Sequence, residues 1–323
     1  MSTDNWDAAE DTSPIAHPAI ARTSPQSVAM MRRRRLLRGI GRQALLQALC
    51  IFVAITVLFP IVYVFGVALD PRNIARPDGL NLIPPNPSLD AFSRAIAKPS
   101  PNNISFLNLA LNSLQLAAAT SLVSVAFGVS AAYAFSRLKF KLRSFLMIAV
   151  LAVLMLPAVA TIAPLFVLLN GIRFGDFVLR NSIPGVALAL ISGALPFAIW
   201  NLKGYLDTIP KDLEEAAAID GCTRNQAFIY VILPLAMPAL AVTAFLGFVA
   251  GWTDFYFSWM FLDHPQNFTL TMALYQMVGQ YASTTPWNVL SAFAILVSLP
   301  VSVVYLIFQR WIIGGLAIGG VKG

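Results

Sequence analysis

The chain has 323 residues, of which 58% are hydrophobic and only 11% charged, and its formal net charge is +7. A soluble protein carries about 25% charged residues, so this chain has too few to cover a water-facing surface and is predicted to be an integral membrane protein in a lipid bilayer. Because the basic residues cluster at the ends of apolar runs, the positive charge indicates anchoring at the membrane faces and argues against a nucleic-acid partner.

Residues 1–43 are predicted to form a disordered tail with a basic end. The first 31 residues are polar, rich in Ser, Thr and Pro, and show no apolar periodicity that could bury a helix face. Six arginines between residues 32 and 42 then precede a long apolar run. A cleaved signal peptide and a twin-arginine signal are both excluded, because the run is too long and no small-residue cleavage pattern follows it.

Apolar runs long enough to cross a bilayer predict an all-α fold with six transmembrane helices, since about 20 apolar residues span the hydrocarbon core. The runs cover residues 44–69, 106–136, 144–170, 183–202, 235–262 and 287–308 within one transmembrane domain, 44–309. Pro157 and Pro164 lie in the third run, where each removes a backbone hydrogen bond. They predict either a broken helix that lines a passage or, more commonly, a simple kink.

The distribution of Lys and Arg predicts the orientation of these helices. Of the 22 basic residues, 16 fall on the side that carries both termini. Because such residues favour the cytoplasmic face, the N-terminal tail, the C-terminal tail 310–323 and the polar segment 203–234 are expected in the cytoplasm. The proline-rich loop 70–105 is expected outside. The protein is thus predicted to be a multi-pass component of the cytoplasmic (inner) membrane.

The segment 203–234 has the local chemistry of two short helices. Asp207 or Thr208 is predicted to cap the first helix, with Pro210 at its first position and Gly221 as a left-handed stop. Thr223 and Gln226 have the spacing of a capping box for a second helix that ends near Pro234.

One face of the first helix could dock against another surface. Leu213, Ala216 and Ala217 share that face, and the small alanines would let a partner approach the backbone closely. The alternative is an ordinary amphipathic helix on the membrane surface between two spans.

At these residues the chain resembles the permease subunits of ABC importers. Glu215-Ala216-Ala217, then Gly221, then Val231-Ile232-Leu233-Pro234 are spaced like the EAA loop of that family, with Val231 in place of the usual Ile. The runs Leu195–Trp200, Ile209–Glu215 and Asn112–Leu114 are similar to its carbohydrate branch. The end of the chain, from Gln309 to Gly323, is similar to that of the smaller permease of maltose transporters.

The resemblance implies a type I importer permease fold in which the EAA loop is a coupling helix that docks into a cytoplasmic ATPase. The residues implied to couple are Glu214, Glu215, Ala216, Ala217, Asp220, Gly221, Leu233 and Pro234. The tail residues implied to reach the ATPase are Gly319, Gly320 and Lys322. The implied partners are a second, homologous permease, two ATPase subunits or domains that bind ATP and Mg, and an extracytoplasmic solute-binding protein. Transport of maltose, maltodextrin or another oligosaccharide would proceed by alternating access.

Two outer regions carry candidate ligand contacts. Trp252, Asp254 and Tyr256 lie near the end of the fifth run, where Asp254 is an acid inside a predicted span and therefore a candidate substrate or gate residue. Alternatively, Asp254 has no role in transport and is a buried, hydrogen-bonded acid beside an ordinary aromatic belt at the membrane interface. The resemblance further implies that an outer loop enters the binding protein, and Tyr275, Gln276, Gln280 and Tyr281 are its candidate contacts.

Other chemistry is poorly supported. The sequence contains no Gly-x-x-x-x-Gly-Lys-Ser/Thr motif, so an ATPase site is expected on another chain and no cofactor on this one. His17 and His264 lack ligand-spaced partners, which argues against a metal site or an enzyme. Cys50 and Cys222, the two cysteines of the chain, are too few for a disulfide framework or a thiolate metal site. An ABC permease for glycerol phosphate or a polyamine, or a self-sufficient secondary transporter, stays the alternative.

Overall fold

The computed structural model describes residues 25–74, 82–281 and 283–319, with side chains over 43–74, 82–281 and 283–312. The described chain is mostly helical. The helices are α1 Pro25–Leu69, α2 Asp90–Ala97, α3 Phe106–Arg137, α4 Arg143–Leu154, α5 Ala158–Gly171, α6 Ile183–Leu206, α7 Asp212–Ile219, α8 Arg224–Ala227, α9 Leu233–Leu235, α10 Met237–Trp252, α11 Tyr256–Phe261, α12 Leu270–Gln276 and α13 Trp287–Gly319.

Short irregular elements connect these helices. The strands β1, Arg173–Phe174, and β2, Phe177–Val178, form an antiparallel hairpin. Single 3₁₀ turns cover Leu179–Asn181 and Pro265–Asn267, and a π-helical turn covers Phe228–Ile232 between α8 and α9. Pro234 has no N–H to donate, so the regular hydrogen-bond pattern of an α-helix cannot run unbroken through this region.

Four helices of the described residues are long and apolar enough to span a membrane without a break. They are Gln43–Leu69, Phe106–Arg137, Ile183–Leu206 and Trp287–Ile312. Two further spans form only if each of two bent pairs counts as one: α4 with α5, which meet at 102°, and Arg224–Leu235 with α10, which meet at 75°. The predicted fold class is confirmed as helical and membrane-spanning, whereas the count of six stays a prediction.

The third predicted span is not one helix. Residues 144–170 divide into α4 and α5 because Pro157 cannot donate a backbone hydrogen bond and also disfavours helical geometry at Leu156. Pro164, in contrast, lies inside α5 without ending it. The two prolines that looked equivalent in the sequence therefore act differently.

The fifth predicted span also ends earlier than expected. Helix α10 stops at Trp252, and Asp254 lies in the break before α11 instead of within a span reaching residue 262. The first and last helices, in contrast, are longer than predicted. Helix α1 begins at Pro25, so residues 25–43 are helical although they belong to the predicted disordered tail, and α13 continues to Gly319, into the predicted C-terminal tail 310–323. Residues 1–24 lie outside the described residues.

Close packing of α3 against α6 and α10 forms the centre of the unit that begins at Ile61. Gly251 and Gly247 of α10 let its backbone approach Ala117 and Ser121 of α3 so closely that an added Cβ would lie 2.6 and 3.0 Å from their Cα atoms. Small residues at helix crossings are typical of membrane proteins, where association depends on packing contacts.

A second, smaller hydrophobic core lies where the C-terminal ends of α3 and α6 meet the start of α10. It contains Tyr133, Leu202, Leu206, Ile209 and Ile232. This core holds the segment 203–234 against the ends of the spans, so it fixes the position of the predicted coupling residues.

Candidate functional site

Helix α7 carries four of the predicted coupling residues, Glu214 to Ala217, and begins differently from the prediction. No side chain caps it at Lys211, and its first turn contains Asp212, Glu214 and Glu215, whose charges the N-terminal end of a helix stabilises. Asp207 instead follows the last residue of α6, and the Thr208 hydroxyl donates to the Tyr205 carbonyl at 2.7 Å. The predicted cap by Asp207 or Thr208 is therefore wrong.

The end of α7 matches the prediction. Gly221 has φ +88°, the left-handed conformation that glycine adopts without steric cost. Cys222 donates its N–H to the Ala217 carbonyl at 2.9 Å and Gly221 donates to Ala218 at 3.1 Å, which is the paired pattern of a Schellman motif. The chain thus turns back sharply after Asp220.

The second predicted helix also begins as expected. The Thr223 N–H donates to the Gln226 amide oxygen at 2.8 Å, and the Gln226 N–H returns to the Thr223 hydroxyl at 3.4 Å, so both halves of the capping box form. The helix is only one turn long before the π-helical turn. Leu233 is half-buried and Pro234 exposed in the short α9 that follows.

One side of α7 faces away from the protein. Glu215, Ala216 and Asp220 are exposed, and Ile219 leaves 86% of its surface uncovered. Ala217 is buried, so the predicted face of Leu213, Ala216 and Ala217 is divided between the exterior and the core. The arrangement presents small and acidic residues, with one large apolar side chain, on a short protruding helix.

Glu214 points towards the spans, where it makes contacts with α3 that were not predicted from the sequence. Its carboxylate forms an ion pair with Arg137, the last residue of α3, and accepts a hydrogen bond from the Tyr133 hydroxyl at 3.0 Å. The Arg137 side chain is 7% exposed and that of Glu214 17%. These partners are 77 residues apart, and the only sequence signal was that Arg137 opens a basic turn.

A second acid is held beside this pair. Asp207 accepts hydrogen bonds from Ser136 and Lys203, both at 2.6 Å. Burial raises the pKa of the Asp207 carboxyl, but the hydrogen bonds from Lys203 and Ser136 and the positive charges of Lys203 and Arg143 lower it further, so the net pKa lies below its usual value. Asp207 thus joins the ends of α3 and α6.

The three candidate substrate or gate residues do not form one site. Trp252 is 3% exposed and donates its indole N–H to the Val297 carbonyl at 3.1 Å. Asp254 accepts from the Phe257 and Ser258 backbone N–H groups at the start of α11. Only Tyr256, at 64% exposure, is open to a ligand.

Phe255, Trp259 and Tyr275 form a partly exposed aromatic cluster. The Phe255 ring lies 5.6 Å from Trp259, almost parallel to it, and 4.7 Å from Tyr275, while Trp259 and Tyr275 meet edge to face at 5.1 Å. Trp259 and Tyr275 are exposed. The structure therefore brings a residue of the predicted binding-protein loop against the end of the fifth span.

The remaining predicted loop and tail residues are dispersed. The Gln276 amide oxygen accepts from the Ser100 hydroxyl at 3.0 Å and from the Asn102 amide at 3.4 Å, so it anchors the loop within the chain. Gln280 and Tyr281 are exposed. Gly319 ends α13, whereas Gly320 and Lys322 lie outside the described residues.

Comparisons with known proteins identify the family of the chain. A family model described as the binding-protein-dependent transport system inner membrane component matches residues 124–317, which include α7 and the turn at Gly221. The maltose/maltodextrin transport system permease protein MalG of Vibrio vulnificus strain YJ016 is 33% identical over 276 residues, covering 83% of this chain and 91% of that protein.

Two other similarities extend over most of the chain. The galactooligosaccharides transport system permease protein GanQ of Bacillus subtilis strain 168 is 31% identical over 296 residues, covering 92% of this chain and 100% of that protein. The fold resembles a chain of a bacterial ABC transporter involved in alginate import, with a TM-score of 0.67 and 21% identity over 87% of this chain and 98% of that one. The protein therefore belongs to the family of inner membrane components of binding-protein-dependent transport systems.

Proposed function

We propose that this chain is one permease subunit of an ATP-driven importer and forms half of the pathway that carries a sugar across the membrane. Family membership supports the permease role, and the similar permeases described above belong to transport systems for maltose/maltodextrin and for galactooligosaccharides. The proposed substrate is accordingly an oligosaccharide. Glycerol phosphate, a polyamine and self-sufficient secondary transport are not favoured, because none of these relatives carries such a name.

The observation that carries the proposal is the exposed side of α7, which ends at the left-handed Gly221. Glu215 and Ala216 lie on this side, while Ala217 holds the helix against the protein. A short helix that protrudes from the ends of the spans can enter a cleft in a partner, and the small alanine permits close approach. We propose that this partner is an ATPase.

The proposed assembly follows from this assignment. It contains a second, homologous permease, two ATPase subunits or domains that bind ATP and Mg, and an extracytoplasmic solute-binding protein. Both termini and the coupling segment lie in the cytoplasm, in line with the distribution of basic residues. Gly319, Gly320 and Lys322 are proposed to reach the ATPase, and this chain itself acts as a transport subunit and not as an enzyme.

The aromatic cluster is the proposed sugar contact of this chain. Flat rings of Phe255, Tyr256, Trp259 and Tyr275 can pack against the C–H faces of a pyranose, and Tyr256, Trp259 and Tyr275 are all exposed. Trp252 and Asp254 support the cluster from within, because their polar groups are already hydrogen-bonded inside the chain.

Reconstitution of the complete transporter in proteoliposomes tests the proposal. Gly221→Val should abolish the stimulation of ATP hydrolysis by the loaded binding protein, since a side chain in this conformation costs about 1 kcal/mol at the turn that sets the docking face. Glu215→Ala should have a smaller effect. Gly175→Val is the matched control, because Gly175 has φ +61° in the β1–β2 hairpin and is open on all sides, as Gly221 is. Full stimulation and uptake by Gly221→Val would reject the coupling role.

A further inference from the structure

We propose that Arg137 is a positioning residue that joins α7 to the span α3 and passes the movement of one to the other. The inference rests on the proposed function, since it assumes that an ATPase acts on the exposed side of α7. It adds a residue outside the EAA-like segment, at the far end of a different helix.

The guanidinium of Arg137 contacts three separate parts of the chain. Its Nε lies in the ion pair with Glu214 of α7, and its Nη2 donates to the Ile209 carbonyl at 2.8 Å, in the linker before α7. Its Nη1 donates to the Ser136 hydroxyl at 3.1 Å. A planar guanidinium can hold several acceptors in a fixed geometry, which an ammonium group cannot do.

The network continues from Ser136 into α6. Ser136 donates to Asp207, which Lys203 also contacts, so the ends of α3 and α6 are joined beside Arg137. Both oxygens of the Glu214 carboxylate are occupied, one by Arg137 and the other by Tyr133. Tyr133 in turn packs its ring 4.6 Å from Phe228 in the π-helical turn.

Helix α7 has few other links to the spans. Within the described residues Ala217 is its single buried side chain, and its main neighbouring elements are α8 and the π-helical turn of the same segment. A force on the exposed side of α7 therefore reaches α3 mainly through Glu214 and Arg137. The two adjacent acids of α7 therefore have different surroundings: Glu215 faces outward and Glu214 faces the spans.

The chemistry of the pair makes this connection stiff. Arginine does not lose its proton in proteins, and both side chains are largely removed from solvent. Loss of one partner leaves an uncompensated charge in a poorly solvated place, which is far more costly than loss of an exposed surface pair.

A double-mutant cycle in the complete reconstituted transporter tests the inference. Arg137→Gln, Glu214→Gln and the double variant are compared by copurification of the ATPase and by sugar transported per ATP hydrolysed. Each single change should leave copurification intact and lower the ratio about tenfold, within the usual range of coupling between sites. The double variant should be no worse than either single change, because both remove the same contact.

Lys139→Gln is the matched control, since Lys139 is exposed in the same basic turn and its loss removes the same charge. Its transport ratio should equal that of the wild type. Additive effects in the cycle, or wild-type ratios in both single variants, would overturn the role of Arg137. The proposed function would still stand in that case if Gly221→Val abolished stimulation.

Arg137→Lys covers the case in which Arg137→Gln does not assemble. It keeps the positive charge but cannot hold Glu214, Ile209 and Ser136 together. We expect normal copurification and an intermediate transport ratio. A wild-type transport ratio for Arg137→Lys would overturn the inference. If the ATPase fails to copurify only with Glu215→Ala and Gly221→Val, the result would support separate roles: Glu215 and Gly221 dock the ATPase, and Arg137 transmits its movement.

Discussion

Two hydrogen bonds join Asp254 to Ser258 at the start of α11: the Asp254 Oδ2 accepts from the Ser258 backbone N–H at 2.9 Å and from the Ser258 hydroxyl at 2.8 Å. This pairing explains why the acid tolerates its half-buried position. With the bond to the Phe257 N–H, it also gives partners to two backbone N–H groups in the first turn of α11.

Asp254→Ala should therefore act on stability. Loss of these hydrogen bonds should lower the free energy of unfolding by about 1–2 kcal/mol, measured by thermal unfolding in detergent. Asp254→Asn keeps one acceptor oxygen and should lose less than half of that, with near-normal sugar uptake. A raised half-saturation for sugar in a fully stable Asp254→Asn protein would instead show that the carboxylate contacts the substrate.

The outer loop should separate into an anchor and a recognition part. The double change Gln280→Ala with Tyr281→Ala should weaken uptake at low concentrations of loaded binding protein, because both side chains are exposed. Basal ATP hydrolysis and thermal stability should not change. Gln276→Ala is the contrasting variant, since it removes the contacts to Ser100 and Asn102 and should loosen the loop towards proteases. Uptake by the double variant equal to wild type at every concentration would contradict the recognition role.

Asp207 should make the stability of the protein sensitive to acid. Its pKa is lower in the folded protein than its usual value of about 3.9, so it stabilises the fold above that value. The contribution is lost as the pH falls through the folded pKa. When the free energy of unfolding is plotted against pH, the curves of the wild type and of Asp207→Asn should differ most near neutral pH and converge in acid. Asp176→Asn, an exposed acid in the β-hairpin, should not change the shape of the curve, and parallel curves for Asp207→Asn would contradict the prediction.

The contact between α3 and α10 should not tolerate an added methyl group. The Cβ of Gly251→Ala would lie 2.6 Å from the Ala117 Cα, so the backbones must separate. We expect a loss of about 1–3 kcal/mol in stability, the usual cost of overpacking. Gly193→Ala is the control, because nothing lies within 4 Å of its added Cβ. Equal melting temperatures for the two variants would show that this contact does not limit stability.

Local features of this chain could be predicted because their causes are local. The turn at Gly221 and the capping box of Thr223 and Gln226 depend on residues within five positions of one another. The long spans α3, α6 and α13 follow from apolar length alone.

Features that depend on packing could not be predicted in the same way. Asp207 has the composition of a helix cap, yet Ser136 and Lys203 recruit it to the end of α6. Nothing in the order of residues pairs Arg137 with Glu214, because the contact arises only when the second core brings α3 and α7 together. The sequence also does not distinguish the two prolines, although Pro157 immediately precedes α5 and Pro164 lies inside it.

The bend between α4 and α5 bears on how the chain enters the membrane. The 12 residues of α4 and 14 of α5 make helices of about 18 and 21 Å at a rise of 1.5 Å per residue, and the hydrocarbon core is about 30 Å thick. Neither half can be inserted by the translocon as an independent crossing. A crossing of the bilayer by this segment therefore requires α4 and α5 together, with the 102° bend between them supported where each helix packs on α6.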